Sequence, residues 1–410
     1  MLKKLTTVFA LVATVAATSM ATDTRTLTLG DNHEVLVDDA NIYLFPSRVS
    51  QFPNIAVAEV GNYFYEGEFN RSTGGFSSEL GRLSINWKFG TENPWVLSTN
   101  FFTNTIDPMF GGGTSVFNLA NFDEIDGYPN RRIQLIYGRK LGNMNFGFGL
   151  GYTASSYQEE QAPLTDESAS QIGVSVGLSD AAYKWDLAAH FRMTGFKQEV
   201  NGVTEFEADG GTEFGAIFRY FHSANPQWTV VPVVALNFGS LGVDFPDAVT
   251  PANAFNEKYT ATSFMAGCGI HYMPSNNVLA IIQPGVMMTS FKSEFVSGTN
   301  PAEEFTETFT ALPYFKAGVE GDVFPWLDAR FGATSYWTGE KEEFVEPGDP
   351  NEVYKYGYAD NQTYLGFGFN FGRLHVDTYT DPSLFLNGFN FISGRTSNMN
   401  FSLSALMELF

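Results

Sequence analysis

From Ile55 onward, apolar and polar residues alternate at period two. Met144–Tyr152, Gln171–Leu178 and Tyr364–Phe371 each place large apolar residues on one face and Gly, Ser or Asn on the other. In Arg82–Phe89 and Tyr183–Met193 the polar face carries charge: Lys184, Asp186, His190 and Arg192 alternate with Tyr183, Trp185, Leu187, Phe191 and Met193. A period of two is that of a β-strand with unlike faces.

Tight turns are expected near Gly90–Pro94, Leu141–Asn143, Ser179–Ala181, Ser223–Pro226, Pro274–Asn277, Gly321–Pro325 and Gly372–Arg373. Long polar loops are expected between them, near Thr105–Asn130, Gln158–Glu167, Lys197–Gly211, Gly239–Lys258, Ser293–Phe305, Thr338–Asn361 and Asp381–Asn398. Short and long connections in alternation are the mark of a transmembrane barrel, whose apolar face meets lipid and whose polar face meets the lumen. The pattern predicts an all-β fold, a transmembrane antiparallel β-barrel of about sixteen strands with fourteen as the alternative, spanning residues 55–410. Asn400–Phe410 is expected to close it against Ile55–Tyr65. Phe401, Leu403, Ala405, Met407 and Leu409 share one face, with Leu406 the one exception on the polar face. Phe410 is out of phase with the apolar face, and a bulge near Leu406 or a frayed last residue would reconcile the two.

Composition agrees. Forty Phe, 18 Tyr and 6 Trp beside 40 Gly suit a wall with aromatic girdles and small lumen residues. Lys3 and Lys4, the apolar run Leu5–Ala17 and Ser19-Met20-Ala21 read as a secretory signal over residues 1–21. The single cysteine, Cys268, excludes an internal disulfide. A formal net charge of −22 argues against nucleic acid as a partner. Membrane lipid and a small solute are the expected partners, and the bacterial outer membrane the expected location.

Residues 22–54 contain Gly30, Asp38-Asp39-Ala40 and Phe45-Pro46-Ser47. Gly30 and Asp38-Asp39-Ala40 resemble the opening of the long-chain fatty-acid transporter (FadL) superfamily, including its PorV-like branch. Pro46 falls where that family has an Asn-Pro-Ala-Gly turn, although Phe45 replaces the Asn. The ending, from Tyr364 through Arg373–Tyr379 to Phe410, is also similar to that superfamily. The resemblance implies a hatch inside the barrel and uptake of hydrophobic compounds; an ordinary periplasmic segment is the alternative reading of residues 22–54.

If the polar faces line the lumen, Arg82, Lys88, Arg132, Lys184, Arg192, Arg219 and Arg330 point inward with Asp186, Asp328 and His190. Such a charge ladder would select anionic or polar solutes, or would pair internally and with Asp38 and Asp39 to brace the wall. Asp107, Pro108, Phe110, Gly111 and Gly112 resemble the constriction loop of diffusion porins, with an external loop capping the barrel mouth as the alternative. Acidic stretches at Glu159-Glu160, Glu205/Glu207/Asp209, Glu303-Glu304 and Glu340–Asp349 offer oxygen ligands for divalent cations, without the spacing of a calcium loop. The five histidines, His33, His190, His222, His271 and His375, lie in no nucleophile motif. No enzymatic activity and no cofactor are expected. The first functional expectation is a passive channel for small polar or anionic solutes. FadL-like uptake of hydrophobic compounds is the second, and a non-conducting scaffold or PorV-like shuttle the third.

Overall fold

The computed structural model describes residues 22–61, 80–91, 93–102, 132–158, 164–208, 210–246, 255–297, 303–345, 350–380 and 401–409. Residues 1–21, the expected signal, and residues 103–131, with Asp107, Pro108, Phe110, Gly111 and Gly112, lie outside them.

One antiparallel sheet runs through β1 (Ile55–Gly61), β2 (Leu80–Phe89), β3 (Trp95–Phe102), β4 (Arg132–Leu141), β5 (Met144–Gln158), β6 (Thr165–Asp180) and β7 (Trp185–Val200). It continues through β8 (Val203–Ala208), β9 (Gly211–Tyr220), β10 (His222–Asn225), β11 (Trp228–Phe245), β12 (Phe255–Ser275) and β13 (Val278–Ser297). β14 (Glu303–Phe324), β15 (Leu327–Val345), β16 (Glu352–Phe371), β17 (Leu374–Thr380) and β18 (Phe401–Glu408) complete it. β8, β9 and β10 follow one another along a single wall position between β7 and β11. Among the described residues the wall is therefore a closed barrel of 16 strands.

Closure is made by β1, which pairs with β2 on one side and β18 on the other, Ile55 opposite Glu408 and Gly61 opposite Ser402. The pairing of β18 is continuous through Leu406, so no bulge forms there. Leu406 keeps the inward phase and is fully buried against Ile42, Tyr43, Val49 and Phe52. An apolar residue suits that position because the lumen there is filled with protein, not water.

The tight turns fall where expected; several long loops do not. Lys197–Gly211 is mostly strand, turning at Asn201 (φ 53) and Gly202 (φ 77). An Asn-Gly pair supplies the two positive φ values of a two-residue hairpin. Residues 338–345 and 352–361 are likewise the outer parts of β15 and β16, paired from Phe344–Glu352 inward; residues 346–349, with Glu346 and Asp349, lie outside the described residues. Glu303, Glu304, Glu340, Glu342 and Glu343 thus lie in strands, not loops. Polar residues on both faces hid this continuation, because strands standing clear of lipid need no apolar side.

The outward face is a belt of exposed large apolar side chains. Leu83, Ile133, Leu150, Ile172, Phe191, Phe214, Leu236, Ile282, Phe331 and Leu403 are each about 40–50% exposed. Toward the tight turns aromatic pairs stack, Phe89 on Trp95 at 4.2 Å and Trp228 on Tyr272 at 4.3 Å. An apolar band of that extent around a closed wall is stable only in lipid. The protein is a transmembrane barrel.

Candidate functional site: a lumen occupied by residues 22–54

Residues 22–54 lie inside the wall. They form a helix over Asp23–Thr28, a helical turn over Asn41–Leu44 and a 3-10 helix over Pro46–Gln51. None is long enough to be stable alone; packing holds them. Leu29, Val35, Leu36, Leu44 and Phe45 pack on Ala188, Ile217, Val231, Val233 and Ile281 of the inner wall. Gly30 (φ +81) takes a left-handed conformation between β14 and β15, where a Cβ would stand 2.3 Å from the Ala317 carbonyl oxygen. Pro46 rests on the glycines of β5 and β6: a Cβ at Gly147 would lie 2.1 Å from the Pro46 carbonyl carbon.

Charge pairs fix the segment on three sides. The Arg48 guanidinium donates to both Asp186 oxygens at 2.8 and 2.7 Å, and Arg219 Nε donates to the same carboxylate at 2.7 Å. Arg219 also donates to the Leu36 carbonyl at 2.6 Å and lies 4.0 Å from the Phe45 ring centroid. Arg25 forms a fork on Glu320, both bonds 2.7 Å, and Glu320 is shared with Arg330, which also pairs with Asp377. Arg82 reaches Asp39 at 2.6 Å, and Lys316 reaches Glu34 at 3.0 Å. Asp38 accepts a longer bond from Arg25 at 3.4 Å.

The inward positions expected from alternation separate into groups. Arg82, Asp186, Arg219 and Arg330 meet residues 22–54 or the pairs around them. Arg192 pairs with Glu213 on the next strand. Arg132 covers bare Gly151, where a Cβ would lie 3.0 Å from Nη2, and His190 is buried on the inner face. Asp328 lies 3.6 Å from Arg330 and accepts from Asn370 at 2.9 Å. Lys88 and Lys184, expected in the ladder, instead sit exposed at the tight-turn ends of the wall, where a long cation reaches water. Sequence alternation passed over Lys316, Glu320 and Asp377, although each occupies a polar-face position readable from the same rule. Arg25 and Arg48 had no such signal, since short irregular segments have no period.

The Asp38 carboxyl is pushed well above the usual carboxylate range by burial first and then by the charge of Asp39, with Asp377 adding to it. Arg25 opposes this only in part, because its fork is committed to Glu320. A carboxyl whose value rises on docking takes up a proton as it docks. Its contribution is complete below the free value of about 3.9 and is lost as pH rises through the raised value. The protection of residues 22–54 against amide exchange, taken relative to the unfolded rate at each pH, is expected to fall in the wild type as pH rises. Asp38→Asn, which imitates the neutral acid, is expected to flatten that dependence; an unchanged slope in Asp38→Asn would contradict it.

Beyond these contacts the inner face changes character. Gln134, Ser175, His190 and the Arg192–Glu213 pair form a polar band. Farther out, toward the long connections, Ala169, Phe196, Ala208, Leu241, Val243, Tyr259, Ala261 and Phe291 make one apolar cluster, flanked by Phe206, Phe245 and Phe305. All face inward by register. Among the described residues no three His, Cys, Asp or Glu side chains converge as metal ligands.

The molecule is thus a membrane-spanning β-barrel whose lumen is occupied by its own residues 22–54. No family model and no curated protein matches the sequence. Solved structures resemble it at the level of the barrel. The TodX monoaromatic hydrocarbon channel deltaS2 mutant is 10% identical with a TM-score of 0.42, over 94% of this chain and 98% of that one. The siderophore receptor PiuA from Acinetobacter baumannii is 7% identical with a TM-score of 0.38, over 86% and 81%. The alcaligin outer-membrane receptor FauA from Bordetella pertussis is 10% identical with a TM-score of 0.36, over 86% and 75%. Likeness at this level speaks to neither substrate nor mechanism.

Proposed function

We propose that the protein is a bacterial outer-membrane uptake barrel, exported by a signal over residues 1–21 and closed at rest by residues 22–54. It takes in compounds with a large apolar surface. The observation that carries this reading is the inward apolar cluster around Leu241 and Phe196, on a face that a water-filled pore keeps polar. A hydrophobic solute captured there would leave water before meeting the polar band and the segment below.

The passive anion channel has less support. The arginines that would form its selective ring are engaged: Arg82 with Asp39, Arg219 and Arg48 with Asp186, Arg330 with Asp377, and Arg192 with Glu213. Paired cations leave little net field for an anion. No catalytic role is proposed for the protein.

Proteoliposomes decide between the readings. Little swelling in sugars and saturable uptake of toluene are the expected results. Phe196→Ser removes one of the large rings and is expected to lower toluene uptake at least tenfold, since a fully buried ring is worth about 1.5–3 kcal/mol and each 1.4 kcal/mol is about tenfold. Swelling in sugars at the rate of an open pore would establish the passive channel instead. Silence in both assays would favour a scaffold.

A further inference from the structure

The outer parts of β14, β15 and β16 carry a second surface, which borders the apolar cluster at Phe305 and Phe291 and uses none of residues 22–54. On their inward face the register alternates carboxylates with aromatic rings. Glu342 stands opposite Glu307 on one side and Tyr354 on the other; Glu340 stands opposite Phe309 and Tyr356. Phe344 joins the set, its ring 4.7 Å from that of Phe305 and edge-on to Tyr354 at 6.2 Å. Tyr354, Tyr356 and Tyr358 are each about half exposed, so their faces are open to a solute.

Two features are left unbalanced. Glu307 and Glu342 are like charges directly opposed, an unfavourable cross-strand pair. Among the described residues none of Glu307, Glu340 and Glu342 forms an ion pair, although Glu340 is hydrogen-bonded by Tyr358. The lysines of the outer parts, Lys341 and Lys355, oppose each other on the other face, and Lys316, deeper in β14, is held by Glu34. The Thr338 hydroxyl, on the inward face between Tyr358 and Ala311 and two residues from Glu340, is buried and has no hydrogen-bond partner among the described residues. A buried hydroxyl without a partner leaves a place for a polar group to accept or donate a hydrogen bond, a ligand's or an ordered water's.

We infer that this surface binds a linear organic di- or polyamine. Ammonium groups meet carboxylates and aromatic faces favourably together, the ring quadrupole adding to the charge attraction. Among the described residues no three carboxylates converge on one point, as a single metal ion would need. Glu340 and Glu342, two residues apart on one strand, are spaced by about 6.5–7 Å, which suits two ammonium groups joined by a short methylene chain. That chain would lie across Tyr354 and Tyr356, and the chain's net charge of −22 would draw such a cation to the barrel mouth. The site is independent of the apolar uptake reading, and either can fail alone.

The test is calorimetric titration of the full-length protein in detergent with spermidine, putrescine and butylamine at physiological ionic strength. Saturable spermidine binding is expected, with butylamine much weaker. Glu340→Gln and Glu342→Gln should each weaken spermidine at least tenfold. Tyr356→Ala should also weaken it, while Tyr356→Phe retains it, since the ring and not the hydroxyl is used. Glu205→Gln removes a charge elsewhere and should leave binding unchanged; heat-modifiable mobility checks that each variant is folded. Absence of spermidine binding overturns the proposal. So does equal weakening by Glu205→Gln, full displacement by an equal concentration of Mg²⁺, or unchanged affinity in Tyr356→Ala, each of which reduces the effect to an ion atmosphere. A lysine-rich peptide that binds where spermidine does not would also overturn it, in favour of a polypeptide partner.

Discussion

Asp186→Asn is expected to open the barrel without unfolding it. Among the described residues Asp186 is the only carboxylate bridging Arg48 of the inner segment and Arg219 of the wall, and all three side chains are almost fully buried. Neutralising it leaves two guanidinium groups facing each other with no anion between them. Breaking one member of a buried ionic set costs about 3–5 kcal/mol, comparable to the whole stability of a small docked element. The wall keeps its hydrogen-bonded ladder and its lipid-facing belt. The expected outcome is therefore a barrel that remains heat-modifiable in gels but conducts in planar bilayers, with residues 22–54 newly open to protease. Arg48→Met keeps the Asp186–Arg219 pair and should have a smaller effect. A silent bilayer and unchanged protease resistance in Asp186→Asn would mean that the ion triad does not hold the segment.

Gly147→Val should produce the same release by shape alone. The glycine lies on the inner face of β5, where Pro46 approaches so closely that the first side-chain atom would overlap its backbone. Valine is otherwise well suited to a strand, so the wall tolerates it and the 3-10 helix must move. Overpacking ordinarily costs about 1–3 kcal/mol, and contact with backbone rather than a flexible side chain places this case toward the upper end. Faster amide exchange over Pro46–Gln51 is the expected reading, with no change in Gly195→Val, where an added Cβ meets nothing within 4 Å. Equal exchange in both variants would remove the close approach from the account.

Both expectations concern contacts between residues 22–54 and the wall, and those contacts were the least legible part of the chain. Alternation located the strands because each has one face in lipid and one face inward, a local property that repeats every second residue. It located Arg82, Asp186, Arg219 and Arg330 as inward groups for the same reason. It did not assign partners, since nothing local relates Arg48 to Asp186 or Arg25 to Glu320. It also ended several strands too early, at Lys197 and Thr338, because beyond the lipid a strand no longer needs unlike faces. The Asn201-Gly202 pair carried the missing turn, but its polar surroundings read as loop.

Leu406 shows the division within one strand. The sequence by itself determined that the last segment is a strand with Leu403 and Met407 facing lipid, and that a closed antiparallel wall would need it. Period and composition suffice for this, because the bilayer imposes the same demand on every strand. That Leu406 points inward without a bulge was decided only by tertiary structure: Ile42, Tyr43, Val49 and Phe52 of the inner segment lie against it and exclude water. The same holds for the charges. Which arginines face inward follows from the period of a strand. Whether they line an open pore or fasten a segment within it depends on what occupies the lumen, and that is fixed by contacts between residues far apart in the chain.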